Sequence, residues 1–177
     1  MLYGDTQLTG VERIFNKSDI IVSKTDLAGK VTYGNRQFYS TSGYEEHEVL
    51  GVQHNLIRHP EMPRAVFELL WSTLKEGKEI FAYVINRAKN GDHYWVFAHV
   101  TPSFDMSGNI TGYHSNRRVP NRKVIQEHIE PLYKKLLKIE HSASSPKLGM
   151  QKSLQATLDL LKQRNIEYSE FIFSLGI

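Results

Sequence analysis

Two runs of strand-forming residues stand either side of Asn90-Gly91, and this stretch constrains the fold more than any other. Phe81-Ala82-Tyr83-Val84-Ile85 precedes the pair, and the aromatic and β-branched run His93 to Thr101 follows it. Asn-Gly supplies the positive φ angles that a tight hairpin turn needs, and the flanking side chains suit a pleated, half-buried surface. Pro102 is expected to close the second strand. Ser107-Gly108-Asn109 marks another turn, and Ile110 to Ser115 another strand. Three sequential antiparallel strands result.

An earlier hairpin is read from Ile20-Ile21-Val22 and Val31-Thr32-Tyr33 around the turn Asp26-Leu27-Ala28-Gly29. Asn35 then caps a short helix bearing Phe38 and Tyr39. A second short helix starts near Tyr44 and ends before Gly51, with Glu45, Glu46 and Glu48 facing solvent. Residues 52–61 form a loop ending in Arg58-His59-Pro60. Pro60 biases His59 away from helical angles, and Pro63 suits the first turn of a longer helix. That helix carries Val66, Phe67, Leu70, Trp71 and Leu74 in one apolar stripe, and Gly77 stops it. The expected fold class is α+β: a five-stranded antiparallel sheet with helices on one face, enclosing a pocket.

Past Pro120 the pattern turns helical. Ile125, Ile129, Leu132, Leu136 and Ile139 form a heptad-like seam, in which Pro131 either kinks the helix or starts a new one near Glu130. His141 to Gly149 reads as a linker. A last helix presents Leu154, Leu158 and Leu161, and Tyr168 to Leu175 is too apolar to be left in water. The seam suits packing on the domain or on a second copy, as a homodimer.

Composition removes several functions. None of the 177 residues is cysteine, which excludes disulfide scaffolds, zinc ribbons, iron–sulfur clusters, thiol catalysis and cysteinyl–flavin photochemistry. No apolar run approaches the roughly 20 residues of a membrane span, and Met1 to Thr6 lacks a secretory start. A cytoplasmic chain with no membrane insertion is expected. The net charge of +3 comes from 22 basic and 19 acidic residues. The densest cations, Arg117-Arg118 with Arg122-Lys123 and Lys134-Lys135 with Lys138, lie in or beside helical pattern and read as solvated faces. Aromatic–basic alternation is missing, so nucleic acid is not an expected partner. With no nucleophile elbow, phosphate loop or kinase signature, catalysis is not expected either.

Candidate binding residues each carry a plainer alternative. The Arg58 guanidinium offers a planar fork of donors for a pyrophosphate, and His59 can hydrogen-bond or stack. Equally, Arg58 can pair with Glu61 while His59 caps the next helix. Asn86 is polar among Phe, Tyr, Val and Ile, and a buried amide must find partners. Alternation puts Ala82, Val84 and Asn86 on one face and Phe81, Tyr83 and Ile85 on the other. Which face points inward is not given by the period. Phe67, Trp71, Phe81, Trp95 and Phe97 are either plain core or a cofactor box. A haem would need one axial histidine projecting into an apolar pocket. Of the eight histidines, none sits on the 62–77 helix, and none has metal-ligand spacing.

The segment 54–63 (His-Asn-Leu-Ile-Arg-His-Pro-Glu-Met-Pro) and Asn90-Gly91-Asp92-His93-Tyr94-Trp95-Val96 resemble the sensory domains of bacterial aerotaxis receptors, in the PAS superfamily. The likeness runs from about residue 17 to residue 118 and includes Asn35 with Phe38, Gly43-Tyr44 and Trp71. It implies an N-terminal cap over 1–16, a PAS sensory domain over 17–118 and a helical extension over 119–177. It further implies a redox or oxygen sensor that holds FAD non-covalently, with haem as the competing cofactor. Signalling would pass by protein contact to a methyl-accepting chemotaxis-type receptor or a histidine kinase. The cofactor-binding set it implies is Asn35, Arg58, His59, Phe67, Trp71, Phe81, Asn86 and Tyr94. The chain departs from the family at Phe81, Tyr83 and Ile85, where the relatives carry Trp, Gly and Lys. An inward Tyr83 would fill part of the pocket and favour a cofactor-free interaction module.

Overall fold

The computed structural model describes residues 7–176. Strands β1 (Ile21–Thr25), β2 (Val31–Gly34), β3 (Ile80–Arg87), β4 (His93–Phe104) and β5 (Ile110–Arg118) form an antiparallel sheet in the order β2-β1-β5-β4-β3. Helices α1 (Arg36–Ser42), α2 (Glu46–Val49) and α3 (Arg64–Lys75) and a 3-10 turn, His54–Ile57, fill the connection between the first hairpin and β3. The last strand returns beside the first, with Ser23 opposite Ser115. This closure leaves β2 and β3 as the edges.

Local chemistry accounts for the details and corrects two expectations. The expected Asn90-Gly91 hairpin is present with a three-residue loop: Gly91 N–H donates to the Ala88 carbonyl at 3.0 Å, and Gly91 sits at φ 95°. Pro102 does not close β4, which continues to Phe104 with Pro102 opposite Tyr113. β3 begins at Ile80, opposite Val100, so beyond that point β4 has a neighbour on one side only. A proline is tolerated at such an edge. β5 also runs past Ser115 to Arg118, pairing Arg117 with Ile21.

In the C-terminal helices a new helix begins at Glu130, one of the two alternatives expected around Pro131, and the linker expectation is corrected. The chain stays helical through Pro131, as α4 (Arg122–Val124), a π-helical segment (Ile125–Ile129) and α5 (Glu130–Ser142). Glu130 N–H reaches back to the Ile125 carbonyl, and this widened turn accommodates a proline that cannot donate. The expected linker over 141–149 shrinks to residues 143–145. Ser145 Oγ accepts from Leu148 N–H at 3.3 Å and Pro146 takes the first helical position, so α6 (Pro146–Arg164) begins at once. Its buried stripe is Gly149, Ser153, Thr157 and Leu161. Leu158 is 42% exposed. Small side chains at four-residue spacing let α6 lie close against α5.

These helices wrap round the β3 edge. Helix α7 (Tyr168–Ser174) brings Phe173 onto Phe81, with ring centroids 4.8 Å apart. The Tyr133 hydroxyl on α5 donates to the Tyr83 carbonyl, whose lone pairs the sheet leaves unpaired at its margin. Tyr133→Phe is expected to lower stability by about 1–2 kcal/mol, the cost of orphaning a buried carbonyl. Urea unfolding with an unchanged m-value checks this. At the other end, Glu12 bridges to His93 and pairs with Arg122, while Arg13 meets Asp92 at 3.0 Å. The first six residues of the expected cap lie outside the described residues. Among the described residues no helix is long and apolar enough to cross a membrane.

Candidate ligand-binding site

Between the inner face of the sheet and α3 lies a cavity of about 440 Å³, within the range typical of small-molecule sites. Strand alternation decides its floor: Ser23 and Thr25 on β1, Tyr113, Ser115 and Arg117 on β5, Ala98 and Val100 on β4, Val84 and Asn86 on β3. Phe67, Leu70, Trp71 and Lys75 of α3 form the roof, and Gln53, His54, Asn55, Ile57 and Arg58 close one side. Trp71 meets Tyr113 edge-on, 5.2 Å between centroids. The Ala82–Val84–Asn86 face is thus the inner one.

Four of the eight expected binding residues line this cavity. Arg58 is tied to the sheet by a backbone bridge to Asn86. Its Nη donates to the Met62 carbonyl at 2.9 Å, its guanidinium lies 5.2 Å from the Phe67 ring centre, and its Nε is buried without a partner. Burial, then the neighbouring Arg64, depresses its pKa. Asn86 is 4% exposed and its Nδ2 has no hydrogen-bond partner. Phe67 and Trp71 supply aromatic wall.

The other four lie elsewhere, each for a physical reason. Asn35 caps α1: its Oδ1 accepts from Phe38 N–H and Val22 N–H, and its Nδ2 donates to the Ile20 carbonyl. His59 holds its own turn, Nδ1 accepting from Glu61 N–H at 3.2 Å, and packs on His93. Phe81 is on the outer face, stacked on His99 at 4.2 Å. Tyr94 is on the inner side but packed below the cavity, fully buried, where burial raises its phenol pKa. Tyr83 also faces outward, against Phe97. It does not fill the pocket, and the premise of the cofactor-free alternative goes with it.

The residues that the sequence reading missed form the polar end of the cavity. Arg117 is 4% exposed, although its position among clustered cations suggested a solvated face. One terminal nitrogen lies 2.7 Å from Ser23 Oγ and 2.8 Å from His54 Nε2. A guanidinium only donates, so His54 Nε2 must accept and its proton sits on Nδ1. Burial and then Arg117 push the half-buried His54 down to about 3, and burial brings Arg117 down to about 10. The ring is neutral and the guanidinium charged at neutral pH. Extending the β5 alternation by one step, Tyr113, Ser115, Arg117, would have revealed the inward arginine.

The arrangement offers a cavity with aromatic walls and polar groups spread along its lining. Four buried polar atoms without partners belong to its lining: Thr25 Oγ1, Arg58 Nε, Asn86 Nδ2 and Arg117 Nη1. Arg58, Lys75 and Arg117 line it, and among the described residues no Asp or Glu does. Buried donors are ordinarily satisfied, so the lining suits an acceptor-bearing guest.

A sheet of this order with helices over one face and a cavity between is an α+β architecture that can enclose a small molecule. Residues 31–117 match the family described as PAS fold, and this part of the chain is a PAS domain. Over 116 residues the chain is 45% identical to the aerotaxis receptor of Escherichia coli (strain K12), a match covering 66% of this chain and 22% of the receptor. It is 26% identical over 102 residues to the nitrogen fixation regulatory protein of Klebsiella pneumoniae, covering 58% of this chain and 21% of that protein. The chain thus spans about a fifth of the length of these relatives. Among solved structures, the light state of the blue-light photoreceptor Aureochrome1 LOV superposes with a TM-score of 0.56 at 22% identity, covering 63% of this chain and 89% of that one. That likeness speaks to the fold.

Proposed function

We propose that the cavity holds a flavin, as FAD, and that the chain senses redox state or oxygen through it. The carrying observation is the cavity lining, in which Asn86, Arg58 and Arg117 nitrogens lack partners and, among the described residues, no carboxylate appears. A flavin presents carbonyl and ring-nitrogen acceptors on a flat aromatic system, which suits these donors and the Trp71–Tyr113 walls. When bound, the flavin supplies reversible electron transfer, and the residues here bind it, orient it and exclude water. The 45% identity to an aerotaxis receptor supports the sensory role. Haem fits less well, because His54, the histidine on the wall, has Nε2 engaged by Arg117.

Output is read through α3. This helix carries Phe67 and Trp71 on the cavity side, and its first amides are held by Glu140 of α5. A change at the ligand therefore bears on the C-terminal helices, whose outer surfaces would contact a methyl-accepting chemotaxis-type receptor or a histidine kinase. Ligands shift such equilibria only by differential contact with two states.

The purified full chain should be yellow or turn yellow on adding FAD, with oxidised-flavin absorption. Asn86→Leu should weaken FAD binding about 10- to 100-fold, the worth of one buried hydrogen bond and the desolvation behind it. Colourless protein that takes up no FAD overturns the flavin reading, and a red protein with a Soret band would establish haem instead.

A further inference from the structure

A buried cation is costly unless an opposite charge or a full set of hydrogen bonds meets it. Arg117 has neither in full. Its one engaged terminal nitrogen is shared between two neutral groups, Ser23 Oγ and His54 Nε2. The Phe38 ring lies against it, 5.8 Å from guanidinium carbon to centroid. The second terminal nitrogen is buried and partnerless, and among the described residues no carboxylate lines the cavity it borders. A neutral glutamine or methionine would fill this position with less desolvation. Retaining a charge here makes sense when the guest brings the counter-ion.

We infer that Arg117 is the counter-ion for a ligand that is anionic, or becomes anionic, inside the cavity. Ser23 and His54 position the guanidinium, with the His54 ring held as an acceptor so that it adds no second positive charge. The redox form of this inference rests on the flavin reading. Oxidised FAD takes two electrons from a reductant such as dithionite and one proton from solvent, and the reduced ring then carries one negative charge. A fixed cation at its edge binds that form more tightly than the neutral oxidised ring. Arg117 therefore sets the potential at which the sensor switches.

The test uses the full chain, Arg117→Gln and Arg117→Lys. On FAD-loaded protein, Arg117→Gln should lower the preference for reduced over oxidised flavin at least tenfold, moving the midpoint about 30 mV more negative for a two-electron couple. Arg117→Lys keeps the charge and should recover most of the shift. A merely structural role would change stability in both variants and leave the midpoint alone. An unchanged midpoint in Arg117→Gln overturns the inference while the flavin reading stands. If the parent protein takes up no FAD, the flavin reading falls, and two fluorescent probes decide the inference. Anilinonaphthalene sulfonate, a flat anion, should lose at least tenfold affinity in Arg117→Gln and keep it in Arg117→Lys. The neutral N-phenylnaphthylamine should bind both variants within twofold of the parent. Equal losses for both probes, or none for the anion, would overturn it.

Discussion

Gly149→Ala is expected to destabilise the chain by about 2–4 kcal/mol, the opposite of what alanine does in an exposed helix. A solvent-facing glycine replaced by alanine gains up to about 1 kcal/mol of helix propensity. Here a Cβ would stand 2.4 Å from the Glu140 carbonyl oxygen and 3.0 Å from its Cα, both backbone atoms that cannot swing away. Helices α5 and α6 would have to separate, and such overpacking is costly. The damage reaches further because the Glu140 side chain caps α3 from a distance. Pro63 gives α3 no side-chain cap; instead Glu140 accepts from Arg64 N–H at 3.1 Å and Ala65 N–H at 3.0 Å. A carboxylate there also meets the positive end of the helix dipole. Glu140→Ala leaves both amides unpaired and should cost about 2–4 kcal/mol. The double variant should lose less than the sum, since both changes disturb one contact. Urea denaturation of the four proteins decides it, and a Gly149→Ala chain as stable as its parent would mean α5 and α6 part freely.

That three-helix junction also marks the limit of what could be read from residues in order. The hairpins, the caps and the α3 stripe follow from local chemistry, because Asn-Gly, Asn35 and the three- and four-residue spacings each act within a few residues. Glu140 capping Arg64 acts across 76 residues, and no local pattern announces it. The α6 stripe is legible only in part for a related reason: Leu161 is buried but Leu158 is exposed. Leucines draw attention as buried residues, whereas close helix contact selects Gly149, Ser153 and Thr157. In the site, alternation correctly split β3 into Asn86 and Tyr83 faces but gave no sign of which was inner. Only the cover over β3 settles that, with Tyr133 and Phe173 taking the outer side. Arg117 was legible in principle, one alternation step beyond a strand ended too early. The missing cysteine was informative without any structure: the fold resembles a LOV photoreceptor, yet a chain with no thiol forms no cysteinyl–flavin bond.

Acid should destabilise this protein earlier than its carboxylates alone would, beginning near pH 6.5, with His54 as the largest contributor. Its folded pKa, about 3, lies below the unfolded value of 6.5. Between those values the unfolded chain binds a proton that the folded chain refuses, so stability rises with pH across this window and falls as pH drops through it. Each unit of separation is worth about 1.4 kcal/mol at full strength. Solvent reaching the half-buried ring reduces this, leaving a loss of about 2 kcal/mol by pH 4. Charging His54 Nε2 would remove the acceptor that Arg117 now uses and set two cations 2.8 Å apart. His59 and His114, both lowered chiefly by burial, add smaller effects of the same sign. His54→Gln keeps an acceptor for Arg117 without a titratable ring. Its stability should fall by about 2 kcal/mol less than the parent's between pH 7 and pH 4, as measured by denaturant midpoints at each pH. Parallel pH profiles for the two proteins would show that His54 accepts its proton in the folded state, and the Arg117–His54 contact would then not be the neutral pair described here. The cavity wall that carries the uncompensated guanidinium is therefore also where acid strikes first, because the same burial that keeps Arg117 short of partners keeps His54 from charging.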